Sequence, residues 1–227
     1  MLPNVVLLHS IDDAASLQLL STLEAGTSAR AQQLAGEALA SAEKQSDPAL
    51  QARTHIVIAH AALDRGEWVD GLMHSQMAVG IAMNLEDREL LQGALAHGVA
   101  ARLRLDEADL ALDLLEECDD LLQRNERVEG APSFAIDLAE SQVWLAQSRG
   151  LDAATEADAR QSALARALRT AGRAVEAAGL DGRAALKVSA FATAVEAALE
   201  AGEARHARTW QLRLSAASEH GVVGDDD

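Results

Sequence analysis

The alternation of apolar and polar positions divides this 227-residue chain into helix-length runs that stop at a Gly or an Asp, and three of the stops fall into register forty residues apart. Ala25-Gly26-Thr27-Ser28 lies over Arg65-Gly66-Glu67-Trp68, and both lie over Leu105-Asp106-Glu107-Ala108. After each stop a second run carries small residues at matched offsets: Ala31, Gly71 and Ala111, then Ala38, Ala78 and Cys118. Further along, Leu199-Glu200-Ala201-Gly202 repeats Leu23-Glu24-Ala25-Gly26. Self-similarity at this period, with two helical runs per unit, predicts an all-α solenoid in which each unit hides its apolar face against its neighbours.

Turn residues and caps set the boundaries. A first hairpin is expected over residues 12–44, turning at Gly26, with Ser28 capping its second helix. Asp47-Pro48 reads as an N-cap and first helical residue, since proline has no N–H to leave unpaired there, and Asp87 holds the matching place one repeat later. The second hairpin spans 48–83 with its turn at Gly66, and the third spans 88–124 with its turn at Asp106. Residues 126–132, with Gly130 and Pro132, form a longer connection, and Ser133 caps a fourth hairpin over 133–179 whose first helix ends at Gly150. From Gly150 to the next cap, Asp181, is 31 residues, against 21 from Gly26 to Asp47 and from Gly66 to Asp87. The extra length is either an overlong helix or a looped insertion. A fifth hairpin over 182–219 turns at Gly202, its second helix placing Ala207, Trp210 and Leu214 on one face and Arg205, Arg208 and Arg213 away from it. Residues 1–11 read as an N-terminal extension and 222–227 as a disordered tail, leaving 12–221 as one repeat body.

Composition supports helix and narrows the partners. Aromatic residues make up 2% of the chain, Tyr is absent and only three Pro interrupt it, a profile that favours helix almost throughout. A net charge of −17 opposes attraction to nucleic acid or anionic lipid, so neither is an expected partner. The acidity is uneven: residues through Gly130 hold 9 basic and 22 acidic side chains, and the remainder hold 10 and 14. Residues 1–8 lack the positive start of a signal peptide, and no stretch approaches the ~20 apolar residues of a membrane span. One cysteine, Cys118, fits a reducing compartment, so a cytoplasmic location is expected.

Ile58-Ala59 followed by Gly66-Glu67-Trp68-Val69-Asp70-Gly71 and Ala78 resembles a tetratricopeptide repeat, with Trp68 where that family usually has Tyr, Gly71 at its small helix-crossing position and Ala78 at its second small position. The resemblance covers about residues 16–220 and is to the degenerate repeats with a period near forty found in bacterial regulatory proteins. The large aromatic usual after the crossing residue is replaced by Ala35, Ser75, Leu115 and Gln211, and the closing Pro is absent or displaced. What the resemblance implies is a right-handed superhelix of about five hairpins whose first helices line a concave groove that binds a protein or peptide. Similar arrays often precede diguanylate cyclase or DNA-binding domains in bacteria, so the alternative is a sensory or dimerising module of a larger signalling protein that binds a small ligand or peptide.

With the first helices facing inward, helical spacing puts Arg53, Ile56, His60 and Leu63 in the groove from the second hairpin, Ala96, Ala100 and Leu103 from the third, and Asp137, Glu140 and Trp144 from the fourth. A Trp beside an apolar floor and a few ionisable groups is the composition of a peptide-binding hot spot. Trp144 is then the anchor, Ile56 and Leu63 the floor, and Arg53, His60 and Glu140 the charged and hydrogen-bonding groups, although Trp144 suits packing between hairpins equally well. The Lys and Asn with which some tetratricopeptide proteins clamp a C-terminal carboxylate are missing from these positions. His55, His60, His74 and His97 lie in adjacent helices, but His55 and His60 are five apart and no two histidines have i, i+4 spacing, so no metal site is expected. The carboxylates of Glu116-Glu117-Cys118-Asp119-Asp120 fan around a helix as a solvated face, with Cys118 buried and unreactive at a crossing position. Arg166, Arg169 and Arg173 share one face, either solvated or placed to receive the acidic half of a second copy in a homodimer. No phosphate loop, serine elbow or paired-carboxylate motif is present, so neither catalysis nor a cofactor is expected.

Overall fold

The chain's caps and turn residues decide where its helices begin and end. The computed structural model describes residues 28–124, 134–181 and 184–221, and all regular structure among them is α-helix. The helices are α1 (Ser28–Lys44), α2 (Pro48–Asp64), α3 (Trp68–Leu85), α4 (Arg88–Arg104), α5 (Ala108–Arg124), α6 (Phe134–Gly150), α7 (Ala157–Asp181), α8 (Ala184–Glu200) and α9 (Ala204–Gly221). The expected helix before Gly26, the turn there, the Ser133 cap and the tail lie outside the described residues, as do the side chains of Ala31, Cys118, Asp119, Asp120 and Asp181. Among the described residues no helix is long and apolar enough to cross a membrane.

Asp47 caps α2 by accepting the backbone N–H groups of Ala49 at 3.0 Å and Leu50 at 3.1 Å, with Pro48 as first helical residue. Asp87 caps α4 by accepting the N–H of Leu90 at 3.1 Å. The C-terminal ends of α2, α4 and α8 follow one scheme. At Gly66 and Gly202 the backbone turns left-handed, with φ of 78° and 76°, and Asp106 adopts the same region at 62°. Each left-handed residue donates back to a carbonyl of the last turn, and the next residue donates one position further: Gly66 to Leu63 and Glu67 to Ala62, Asp106 to Leu103 and Glu107 to Arg102, Gly202 to Leu199 and Glu203 to Ala198. These paired bonds satisfy carbonyls that a helix end would otherwise leave open. An Arg–Glu contact closes two of the turns, Arg65 to Glu67 at 2.7 Å and Arg102 to Glu107 at 2.6 Å.

Both alternatives for the extra length after Gly150 are realised. Residues 151–156 form a connection and α7 then runs for 25 residues. The connection is ordered by the exposed Asp152, which accepts the N–H groups of Ala154 and Thr155 at 2.8 Å and the Thr155 hydroxyl at 3.0 Å. Those donors hold its carboxyl below the usual carboxylate range.

The described helices fall into two compact units, α1–α5 and α6–α9, where the repeat pattern predicts a single body. Within each unit consecutive helices pack on one another, and one contact skips a neighbour: α2 meets α4, and α6 meets α8. In the first unit the packing depends on residues without bulk. A Cβ added at Gly71 would lie 2.8 Å from Leu63 Cδ2 and 3.4 Å from the Ala59 carbonyl oxygen, and one at Gly98 would lie 2.9 Å from Leu114 Cδ2 and 3.3 Å from Ser75 Oγ. Ala78 and Ala111 are buried at the matched small positions. Of the four residues standing where a large aromatic is usual, Ala35, Ser75 and Leu115 are buried and Gln211 is exposed. The second unit is built on alanine, with Ala167, Ala171, Ala174, Ala190, Ala194 and Ala197 buried among Leu138, Leu145 and Leu164. Ser141 of α6, itself buried, donates to the Ala167 carbonyl of α7 at 2.9 Å. On α9, Ala207 is buried and Trp210 packs on this core, while Arg205, Arg208 and Arg213 are exposed, as their spacing predicts.

Two substitutions in α3 separate crossing from propensity. Gly71→Leu has to displace Leu63 and is expected to lower stability by about 1–3 kcal/mol, the usual overpacking range. Gly80, on the same helix, has nothing within 4 Å of an added Cβ. Gly80→Ala is expected to raise stability by about 0.5–1 kcal/mol through reduced backbone entropy alone. Denaturant unfolding of the full chain measures both.

Candidate functional site

Long stretches of α2 and α4 are closed to a partner. Every residue from Ile56 to Leu63 in α2, and from Gly93 to Ala101 in α4, is buried. Ile56, His60, Leu63, Ala96 and Ala100, expected to line an open groove, therefore pack as core. The reason is visible in the segment Ile56-Val57-Ile58-Ala59, which has no polar stripe, and a helix that is apolar all round is buried all round. Arg53 is exposed near the start of α2 and Leu103 is half-buried near the end of α4.

In the second unit Glu140 and Trp144 come together, and α7 covers them. Trp144 packs against the alanine-rich core and donates its indole N–H to Glu140 at 3.2 Å. The Arg166 guanidinium lies over its ring, 4.4 Å from the centroid. Arg173 bonds Asp137 at 2.7 Å and Glu140 at 3.0 Å. The α6 positions 137, 140 and 144 thus face two arginines of the basic row on α7, a cation–π contact and two ion pairs within one unit. Arg149, at the end of α6, bonds both Glu196 and Glu200 of α8, and those carboxylates raise its pKa further.

The surface that sequence spacing did not single out is on α3. Gly71, Ser75, Ala78 and Ala82 of α3 are buried, and the opposite face presents Val69, Met73 and Met77 at 67%, 47% and 55% exposure. These three are spaced four apart and form a continuous apolar row. Beside the row is a cleft of about 270 Å³ between α1, α2 and α3, floored by Ala35, Leu39 and Ala62 and flanked by Asp70, Met73 and His74. The signal was present as Val69, Met73 and Met77 at helical spacing, but it reads as a core stripe until the azimuth of α3 is known.

The four histidines form two pairs across helices. His55 of α2 and His74 of α3 bring their Nδ1 atoms to 2.9 Å, one ring donating to the other, with centroids 5.2 Å apart and both side chains half-buried. His60 of α2 and His97 of α4 meet edge to face at 5.5 Å, both buried. His97 donates its Nδ1–H to the Gly93 carbonyl at 2.7 Å, and His60 Nε2 lies 3.6 Å from Asp64. Burial, and then the neighbouring imidazole, lowers His97 to about 3 and His55 to about 4. Burial also lowers His74, partly opposed by the charge of Asp70. Among the described residues no group of three or more His, Cys, Asp or Glu is disposed to hold a metal ion.

These depressed values give stability a pH dependence of definite sign. Above pH 6.5 the imidazoles are neutral in both states; below it the unfolded chain accepts protons that the folded chain refuses, so stability falls with pH until the folded groups protonate near 4 and 3. For the fully buried His97 the slope is about 1.4 kcal/mol per pH unit well below pH 6.5. Unfolding midpoints measured from pH 7.5 to 5, above the main carboxylate range, should fall, and the fall should be shallower in His97→Gln.

No family model, no curated protein and no solved structure matches the chain, so its function has to be argued from these residues alone.

Proposed function

We propose that this chain is a non-enzymatic interaction module, each unit a short right-handed tetratricopeptide-like stack, and that the first unit captures a helical segment of another protein on the outer face of α3. The forty-residue repeat, the helix crossing at Gly71 and the contacts of α2 with α4 and of α6 with α8 support the stack. The observation that carries the binding reading is the exposed row Val69, Met73 and Met77 running beside the α1–α2–α3 cleft. Singly exposed apolar residues are ordinary on a protein surface, but three in a row next to a concavity are not. Methionine is also the side chain best able to adapt to a partner's shape. The charge of this part of the sequence selects the partner: residues through Gly130 hold 22 acidic against 9 basic side chains, which favours a basic amphipathic segment and speeds its approach.

Capture from source-cell lysate on the immobilised full chain tests this. A partner with a basic amphipathic segment should be retained by wild type and by Leu199→Glu/Leu212→Glu, which alters exposed leucines of the second unit, and lost by Met73→Glu/Met77→Glu of unchanged helicity. Loss of one row methionine at an interface of this kind removes roughly 1–2 kcal/mol, or five- to thirty-fold in affinity. Equal retention by the methionine variant, or no partner at all, overturns the reading.

A further inference from the structure

We propose that His55 and His74 form a two-imidazole site for a divalent transition metal of tetragonal preference, Ni²⁺ or Cu²⁺, which joins α2 to α3 at the edge of the cleft.

The geometry carries the assignment. The two Nδ1 atoms come from different helices and face each other at 2.9 Å. With metal–nitrogen bonds of ~2.05 Å, two nitrogens at that separation subtend about 90° at a shared ion. That is the angle between adjacent ligands in square-planar or octahedral coordination. Ni²⁺ and Cu²⁺ are the ions for which tetragonal nitrogen and oxygen ligation is diagnostic. Each ring need only swing from its partner nitrogen toward the ion, mostly about χ2, a broad and soft torsion.

The surroundings suit a cation. In the pair one ring holds its proton on Nδ1; with that proton on Nε2, the other neutral tautomer, both Nδ1 atoms present lone pairs to a metal. Asp70 lies one turn before His74 on α3, and its charge already acts on that ring. His74 and Asp70 both line the cleft, which leaves the remaining coordination positions to water or to an incoming donor group. Two protein ligands make a modest site, consistent with the lack of any three-ligand cluster among the described residues. The inference stands apart from the α3 row: the metal pair could hold with no protein partner, and the row could bind with the pair metal-free.

Thermal unfolding of the full chain with Ni²⁺, Cu²⁺, Zn²⁺ or Mg²⁺, each reversed with chelator, tests it. Ni²⁺ and Cu²⁺ should raise Tm by about 5–10 °C at a hundred times Kd, Zn²⁺ by less, and Mg²⁺ not at all. His55→Gln and His74→Gln should each abolish the rise, Asp70→Asn should weaken binding several-fold, and His206→Gln, at an exposed histidine of α9, should leave it intact. Electron paramagnetic resonance of the wild-type Cu²⁺ complex should show two equatorial nitrogens, a readout that does not depend on any variant folding. No Tm rise, a rise that survives either glutamine variant, or a Cu²⁺ spectrum without two nitrogens would leave His55 and His74 as a hydrogen-bonded pair only.

Discussion

Helix axes in the first unit approach closely because the residues at their crossings have almost no side chain, and much else follows from that approach. Gly71 admits Leu63 of α2, and Gly98 of α4 admits Ser75 of α3 and Leu114 of α5. A helix held at two crossings has no freedom to rotate about its axis. The crossing face of α3, from Gly71 through Ser75, Ala78 and Ala82, points inward, so Val69, Met73 and Met77 point outward and Asp70 and His74 fall on the shoulder beside the cleft. The candidate surface and the His55–His74 pair are therefore consequences of where two glycines sit.

The all-α architecture and most element ends were legible in the sequence because they rest on local chemistry. Asp47-Pro48, Asp87, Gly66, Asp106 and Gly202 act through hydrogen bonds to their own neighbours, so their effect survives whatever the rest of the chain does. The length after Gly150 was legible only as a surplus, since its division between a connection and a long helix depends on Asp152 folding residues 151–156 around itself.

The candidate site was much less legible, for the converse reason. Helical spacing says which residues share a face but not which way the face points. Ile56, His60 and Leu63 do share α2 as expected, yet α2 has no solvent-facing side along that stretch, so a groove cannot be read from them. Trp144 and Glu140 share a face of α6, but nothing in their spacing shows that Arg166 and Arg173 lie across from them on α7. The two histidine pairs escaped for the same reason: each joins residues on separate helices, at sequence separations of 19 and 37, where no intrahelical spacing rule applies.

The alanine-rich core of the second unit has a thermodynamic consequence of its own. Ala167, Ala171, Ala174, Ala190, Ala194 and Ala197 lose no rotamer freedom when buried, so ordering them is inexpensive, but each removes little apolar surface from water. The heat-capacity change of unfolding scales with the apolar surface exposed. A unit assembled this way has a flatter stability curve than a leucine-filled bundle of equal length, its folding free energy varying little from cold to warm conditions and its response to denaturant shallow.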